Sequence, residues 1–199
     1  MPTSPEGGVV ILLLAAGSSS RMGEPKMLLP LDGEPLVRRS ARRGLESGAD
    51  EVVAVIPPGD AAIRSALDGL VLTIAERSST NGPISDSIHA GLDAVRPDTT
   101  AVVILLADMV HVTSAMLREI VVAARAPDTP IVVSCYGDVN APPLAFPHRL
   151  FPELRTATGD AVGKEVVARH RDEVRVLHWP PEALRDVDTP ADYRDALLR

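Results

Sequence analysis

The sequence predicts an α/β fold, a three-layer α/β/α sandwich around a mainly parallel mixed sheet. Three observations carry that expectation. Strand-length apolar runs alternate with helix-period segments through most of the 199 residues. The run at 101–106 (AVVILL) is apolar throughout, as in a strand buried on both faces. No repeat, low-complexity tract or linker interrupts the alternation, so one domain over 1–199 is expected.

The first strand, 9–14, empties into Ala15, Ala16, Gly17 and three serines. A short apolar bridge at 27–31 and a turn at Asp32-Gly33 lead to a helix over 36–47. Leu36, Val37, Ala41 and Leu45 form its apolar face, whereas Arg38, Arg39, Arg42 and Arg43 read as a solvated face, with Gly48 as C-cap. A strand at 51–56 stops at Pro57-Pro58-Gly59, and a helix at 61–67 leads to a third strand at 71–75. The polar stretch ERSSTNGP (76–83) precedes a helix over 85–95 carrying Ile88, Leu92 and Val95. Strand 101–106 delivers Ala107-Asp108-Met109 at its tip, Thr113 N-caps a helix running to 124, and 131–134 is the fifth strand. Segment 137–152 is rich in Pro, Gly and Asn, a composition that prevents regular helix, and reads as a shaped loop with a short strand at 144–146. After a turn at 154–160, a helix covers 162–170, and a late strand at 174–177 takes its place beside the fifth. Thr189 as N-cap, Pro190 at the first helical position and Asp192 in the first turn start a last helix.

Composition bounds the function. Apolar residues make up 45% and charged residues 24%, an ordinary globular balance, and the net charge of −7 with no basic run argues against nucleic acid as a partner. The single cysteine, Cys135, forms no internal disulfide and provides no zinc-ligand spacing. The start MPTSPEGG lacks a basic leader, and the first apolar run is too short to cross a bilayer; a cytoplasmic protein with no membrane partner is expected.

The chemistry concentrates in LLLAAGSSSRMGEPK (12–26). Small residues let backbone close on a ligand and turn N–H groups toward an anion, and Arg21 and Lys26 add two full charges. A nucleotide's phosphates fit that combination, although neither GxxxxGK[ST] nor GxGxxG is present. Alone, Asp108 reads as a cap residue before a helix; beside a phosphate loop it reads as a magnesium ligand, since a carboxylate near phosphates needs an intervening cation. Asp186 and Asp188 are candidates for a second carboxylate. Ser78, Ser79 and Asn81 either face the first loop across a crevice beyond the strand ends or simply form turns.

LAAGSSSRMGEPK, the aspartate after the fourth strand, the Pro-rich stretch before FPEL and TGD, and DVDTPADY near the end resemble the molybdenum cofactor cytidylyltransferase family, in the same order. That resemblance implies a Rossmann-like fold similar to sugar-nucleotide pyrophosphorylases. It also implies transfer from CTP to molybdopterin with release of pyrophosphate, magnesium as cofactor, and a client molybdoenzyme as a further partner. It implies a nucleotide-binding part at about 8–110, an acceptor part at about 111–185 and a metal-ligand segment with its helix at 186–199.

Residue by residue, the resemblance implies catalytic roles for Arg21 (β- and γ-phosphates), Lys26 (α-phosphate) and Asp108, with Asp108 and Asp188 holding magnesium. Leu14, Ala15, Ala16, Gly17, Ser18, Ser19, Ser20, Ser78, Asn81, Gly82 and Ser87 line the nucleotide. Asn140, Pro142, Pro143, Gly159, Asp160 and Lys164 receive the acceptor. Ala16 sides with CTP, because the guanylyl branch has LAGG where this chain has LAAG. Three positions depart from the family pattern: Val110 replaces a proline, Val162 a glycine and Lys164 an arginine. Lysine does not reproduce a bidentate guanidinium clamp, so a different phosphorylated or phosphonate acceptor, or GTP, stays open. A non-catalytic cofactor-binding or chaperone-like module is the alternative from another class.

Overall fold

The computed structural model describes residues 8–17 and 22–198. Its strands and helices are, in chain order, β1 (Val9–Leu14), β2 (Pro30–Leu31), β3 (Glu34–Pro35), α1 (Leu36–Leu45), β4 (Glu51–Ile56), α2 (Ala61–Ala66), β5 (Thr73–Glu76), α3 (Ile84–Ala94), β6 (Ala101–Leu106), α4 (Ser114–Ala124), β7 (Ile131–Tyr136), β8 (Val139–Pro147), α5 (Phe151–Thr156), α6 (Val162–Arg169), β9 (Val174–Trp179) and α7 (Pro190–Leu197). The main sheet has the order β5-β4-β1-β6-β8-β7-β9. All its strands run parallel except β8, which is antiparallel to both β6 and β7.

Period-two alternation along β1 explains the layers. Val9, Ile11 and Leu13 pack with Val37 and Ala41 of α1, Ile63 of α2 and Leu117 and Ile120 of α4. Val10, Leu12 and Leu14 pack on the other face with Ile88 and Leu92 of α3, Leu154 of α5 and Val166 of α6. The result is the three-layer, mostly parallel, Rossmann-like architecture. A third cluster of Met22, Leu29, Leu31, Leu36, Val110, Val187 and Ala196 docks the last segment of the chain onto the β2–β3 hairpin. That hairpin turns through Asp32 and Gly33, both at positive φ (56° and 84°), as a two-residue connection demands.

Four local expectations need correction. Segment 137–152 contains the nine-residue strand β8, one of the longest in the sheet, rather than a loop with a short strand. Pro142 and Pro143 are tolerated because the β7–β8 register shifts between Val133 and Ser134, and the Ser134 hydroxyl donates to the Pro143 carbonyl at 2.7 Å. Next, 151–156 is helical, with Pro152 in the first turn. The strand expected at 71–75 starts only at Thr73, leaving Val71 90% exposed.

The fourth correction concerns α1, whose arginines are not a solvated face apart from Arg42. Arg38 donates to the Ala66 and Asp68 carbonyls, Arg39 to Val110, and Arg43 to Val110 and Val112. Backbone folded over the helix supplies acceptors there, so the guanidinium groups replace water as partners. Burial, with Arg39 and Arg42 nearby, pushes Arg43 down to about 10.

Candidate active site

The parallel strands β1 and β6 end side by side, with Leu14 opposite Leu106, so the segments leaving the two strands meet beyond the sheet edge. After β1 come Ala15, Ala16 and Gly17; after β6 come Ala107 and Asp108. Helix α1 holds the second of these segments from below. Ser40 Oγ donates to the Ala107 carbonyl at 2.8 Å, and Arg39 and Arg43 each donate to the Val110 carbonyl at 2.7 Å. Asp108 therefore stands on a backbone secured on both sides. The Val187 N–H donates to the Asp108 carbonyl at 3.2 Å, and Val187 is buried with Val110 and Leu36. This docking brings Asp188 alongside. Its position is set further by the capping box of α7, in which the Asp192 carboxylate accepts from the Asp188 and Thr189 backbone N–H groups.

Lys26, in a single 3-10 turn, is only 4% exposed. Its Nζ donates to Asp108 Oδ2 at 2.6 Å and to Asp188 Oδ1 at 3.0 Å. Burial works to lower the Lys26 pKa, and Asp108 followed by Asp188 overcomes it, leaving the ammonium above its ordinary value. Asp186 lies close by. Burial pushes its carboxyl up to about 7, with the Asp108 and Asp188 charges adding to the shift, and its Oδ1 is buried with no partner among the described residues.

Lys26, Asp108 and Asp188 border a cavity of about 680 Å³. Of the residues expected at the nucleotide, Leu14, Ala16, Gly17, Lys26, Asn81, Gly82 and Ser87 line it, together with Asp108, Asp160 and Asp188. Ala15 is buried behind it, its N–H given to the Val55 carbonyl at 2.8 Å, and Ser78 is exposed and outside the lining. Ser18, Ser19, Ser20 and Arg21 lie outside the described residues.

Of the residues expected at the acceptor, Asn140, Pro142, Asp160 and Lys164 line an adjoining cavity of about 420 Å³ with Ile88, Ile104, Leu106, Leu144 and Asp186. Asp160, Leu106 and Ile84 border both spaces. Pro143 and Gly159 do not line either one. The Gly159 N–H instead donates to Ser85 Oγ at 3.2 Å, tying the 159–160 turn to α3. Val162 is fully buried in the core and leaves the cavity wall to Lys164. His89 bridges α3 to the Leu154 and Ala157 carbonyls at 3.1 Å each, and Cys135 is buried; neither lines either cavity.

Sequence reading passed over two contributors. One is the Arg39–Ser40–Arg43 support beneath Asp108. The other is Arg77, which lines the larger cavity while 4% exposed. Its one sequence signal was a cation directly after a strand, inside a polar run.

A bound nucleotide would need a cation between its phosphates and these carboxylates. The donor set fits a hard divalent ion: Asp108 and Asp188 present oxygens that already converge on one ammonium, and magnesium takes one or two carboxylates plus phosphate oxygens and waters. Among the described residues, no group of three or more His, Cys, Asp or Glu is arranged as a metal site, so the protein would supply only part of the coordination sphere.

The family model for the MobA-like NTP transferase domain matches residues 11–174. The chain belongs to that family. Membership makes it a nucleotidyltransferase-type NTP transferase, with a nucleoside triphosphate and a phosphorylated acceptor as the substrates the family implies. It is 28% identical to the purine catabolism protein PucB of Bacillus subtilis, the alignment covering 92% of each chain. It is 29% identical to 2-C-methyl-D-erythritol 4-phosphate cytidylyltransferase of Rhodococcus opacus, over 94% of this chain and 92% of that one. The crystal structure of Rv0371c from Mycobacterium tuberculosis superposes with a TM-score of 0.83 at 30% identity, covering 97% of this chain and 98% of that one. A second structure of Rv0371c, at 28% identity and a TM-score of 0.78, is a complex with manganese and covers 97% and 99% of the two chains. Among the described residues of the present MobA-like protein, no helix is long and apolar enough to cross a membrane.

Proposed function

We propose that this chain is a magnesium-dependent cytidylyltransferase that joins CTP to a phosphomonoester, molybdopterin being the acceptor its motifs favour, with release of pyrophosphate. One observation carries the reading: Lys26, which follows the first loop, sits between Asp108 and Asp188, 82 and 162 positions further along, at the border of a cavity that also includes Gly17.

In this reading an ionised acceptor phosphate oxygen attacks the α-phosphorus of CTP. The new P–O bond forms as the bond to the β-phosphate oxygen breaks, and pyrophosphate carries that electron pair away. No general base is needed, because the attacking oxygen is already deprotonated at neutral pH. Magnesium, held by Asp108 and Asp188, would supply charge neutralisation on the phosphates. Lys26 reaches the α-phosphate, Arg21 the β- and γ-phosphates, and the backbone after β1 lines the nucleotide; positioning and electrostatics are the whole contribution. The apolar adjoining cavity takes the acceptor's ring system, with Asn140, Asp160 and Lys164 as its polar contacts. The relative that acts on a sugar-alcohol phosphate with cytidylyl transfer supports the choice of base.

A second reading, the same transfer to a different phosphorylated acceptor or from GTP, is favoured by Val162 and Lys164, which alter the acceptor side while Lys26, Asp108 and Asp188 stay in place. Pyrophosphate release tests both. The purified protein with magnesium is given CTP, GTP, ATP or UTP, with molybdopterin or with a panel of phosphomonoesters. CTP- and molybdopterin-dependent release is expected; release only with another pair selects the second reading. Nucleotide binding without release from any pair leaves a non-catalytic module.

A further inference from the structure

Among the described residues, Arg77 is a buried cation without a counter-ion. It follows β5 directly, and its backbone N–H extends the β4–β5 ladder to the Ile56 carbonyl at 3.1 Å. The guanidinium donates from Nη1 to the Gly82 carbonyl at 3.0 Å and from Nη2 to the Thr80 carbonyl. No carboxylate of the described residues forms an ion pair with it, and Nε is buried with no partner among them. Burial pushes its pKa below the ordinary value, with Asp86 offsetting part of that from a distance. An arrangement this costly needs a return, since burying an unpaired charge opposes folding.

The return is the shape of one loop. Asn81 lies between the two carbonyls that Arg77 captures, and both Asn81 and Gly82 line the larger cavity. The loop is also closed from behind. A Cβ on Gly82 would collide with Asp86 Oδ2 and stand 2.6 Å from Ser79 Oγ, so the backbone there lies directly on the head of α3. Lys26, Asp108 and Asp188 take the charged end of a nucleotide, which leaves the loop for the nucleoside.

We propose that Arg77 is a positioning residue for base selection, holding Asn81 and Gly82 where they meet the edge of the base. This rests on the reading of the larger cavity as a nucleoside triphosphate site. A wall set to hydrogen-bond one base rejects others strongly, because mismatched polar groups are left unpaired. A wall free to relax does not. Lysine cannot take the place of Arg77, since one ammonium lacks the planar fork that spans two carbonyls.

The test uses the full chain with Arg77→Met and Arg77→Lys, and calorimetric binding of CTP, GTP and inorganic tripolyphosphate in the presence of magnesium. The expected result is that both variants bind CTP about tenfold or more weakly and lose most of the CTP-over-GTP ratio, while tripolyphosphate affinity stays within about twofold of wild type. Where Arg77→Met does not fold, Arg77→Lys decides alone. The inference is overturned if the variants keep the wild-type ratio, if tripolyphosphate weakens in step with CTP, or if the wild type binds tripolyphosphate but prefers no base. Wild-type protein that binds none of the three ligands removes the nucleotide reading itself, an outcome distinct from the others.

Discussion

Replacing Lys26 with Gln tests the centre of the site in the absence of any substrate. The ammonium is 2.6 Å from Asp108 and 3.0 Å from Asp188, and the side chains of the two aspartates are 19% and 36% exposed. Removing one partner of a buried ion pair costs ~3–5 kcal/mol, because the charge left behind keeps its desolvation penalty. Asp188 reaches water and recovers part of its share, which reduces the expected loss to about 3 kcal/mol. For a chain of this length, each kcal/mol moves the melting temperature by ~2–4 °C, so Lys26→Gln should melt on the order of 6–12 °C below wild type in scanning calorimetry. Adding Asp108→Asn and Asp188→Asn to the same chain should recover much of that drop, as a mutant cycle on coupled charges requires. Magnesium alone should then stabilise Lys26→Gln more than wild type, since the vacated carboxylates can take a divalent ion. An unchanged melting temperature, or equal stabilisation of the two proteins by magnesium, would refute the reasoning.

Asp108→Ala, with its fold checked by circular dichroism, should lower pyrophosphate release by about 10²–10³, the scale of one preorganised electrostatic group. Arg43→Met leaves the Val110 and Val112 carbonyls without this donor, at a cost of ~1–3 kcal/mol, and should reduce turnover as well as melting temperature because the same backbone carries Asp108. His170 is held above its ordinary pKa, first by Glu153 and then by Glu173. Its protonated form contributes stability that is complete below the unfolded value of 6.5 and is lost as pH rises through the raised folded value. The melting temperature should therefore fall with rising pH across that interval in wild type, and the slope should flatten in His170→Gln.

How legible the molecule was depended on the range of the interactions involved. The apolar runs of β1, β4 and β6 were readable because burial on two faces leaves a local mark. β8 was not, since Asn140 and the Pro142-Pro143 pair read locally as a loop, whereas a register shift in a neighbouring strand and a hydroxyl from Ser134 make the strand possible. The polar face of α1 was seen correctly as polar. Its role was hidden, because the carbonyls that Arg39 and Arg43 satisfy come from 67 to 71 residues further along. Asp108 and Asp188 were singled out through their motifs, and the structure places both on Lys26. Their approach to one another follows from Val187 packing beside Val110 and Leu36, which no local pattern announces. Arg77 gave almost no signal, being one cation in a polar run whose partners are backbone atoms.

The ion triad joins residues 162 positions apart, Lys26 near one end of the chain and Asp188 near the other. The other residues that line the cavity, from Leu14 to Asp160, all precede Asp188 in the chain, so a ribosome supplies the last member of the triad after the rest of the wall. The Lys26–Asp188 contact accordingly forms only once the segment ahead of α7 has been made and has docked on Val110 and Leu36.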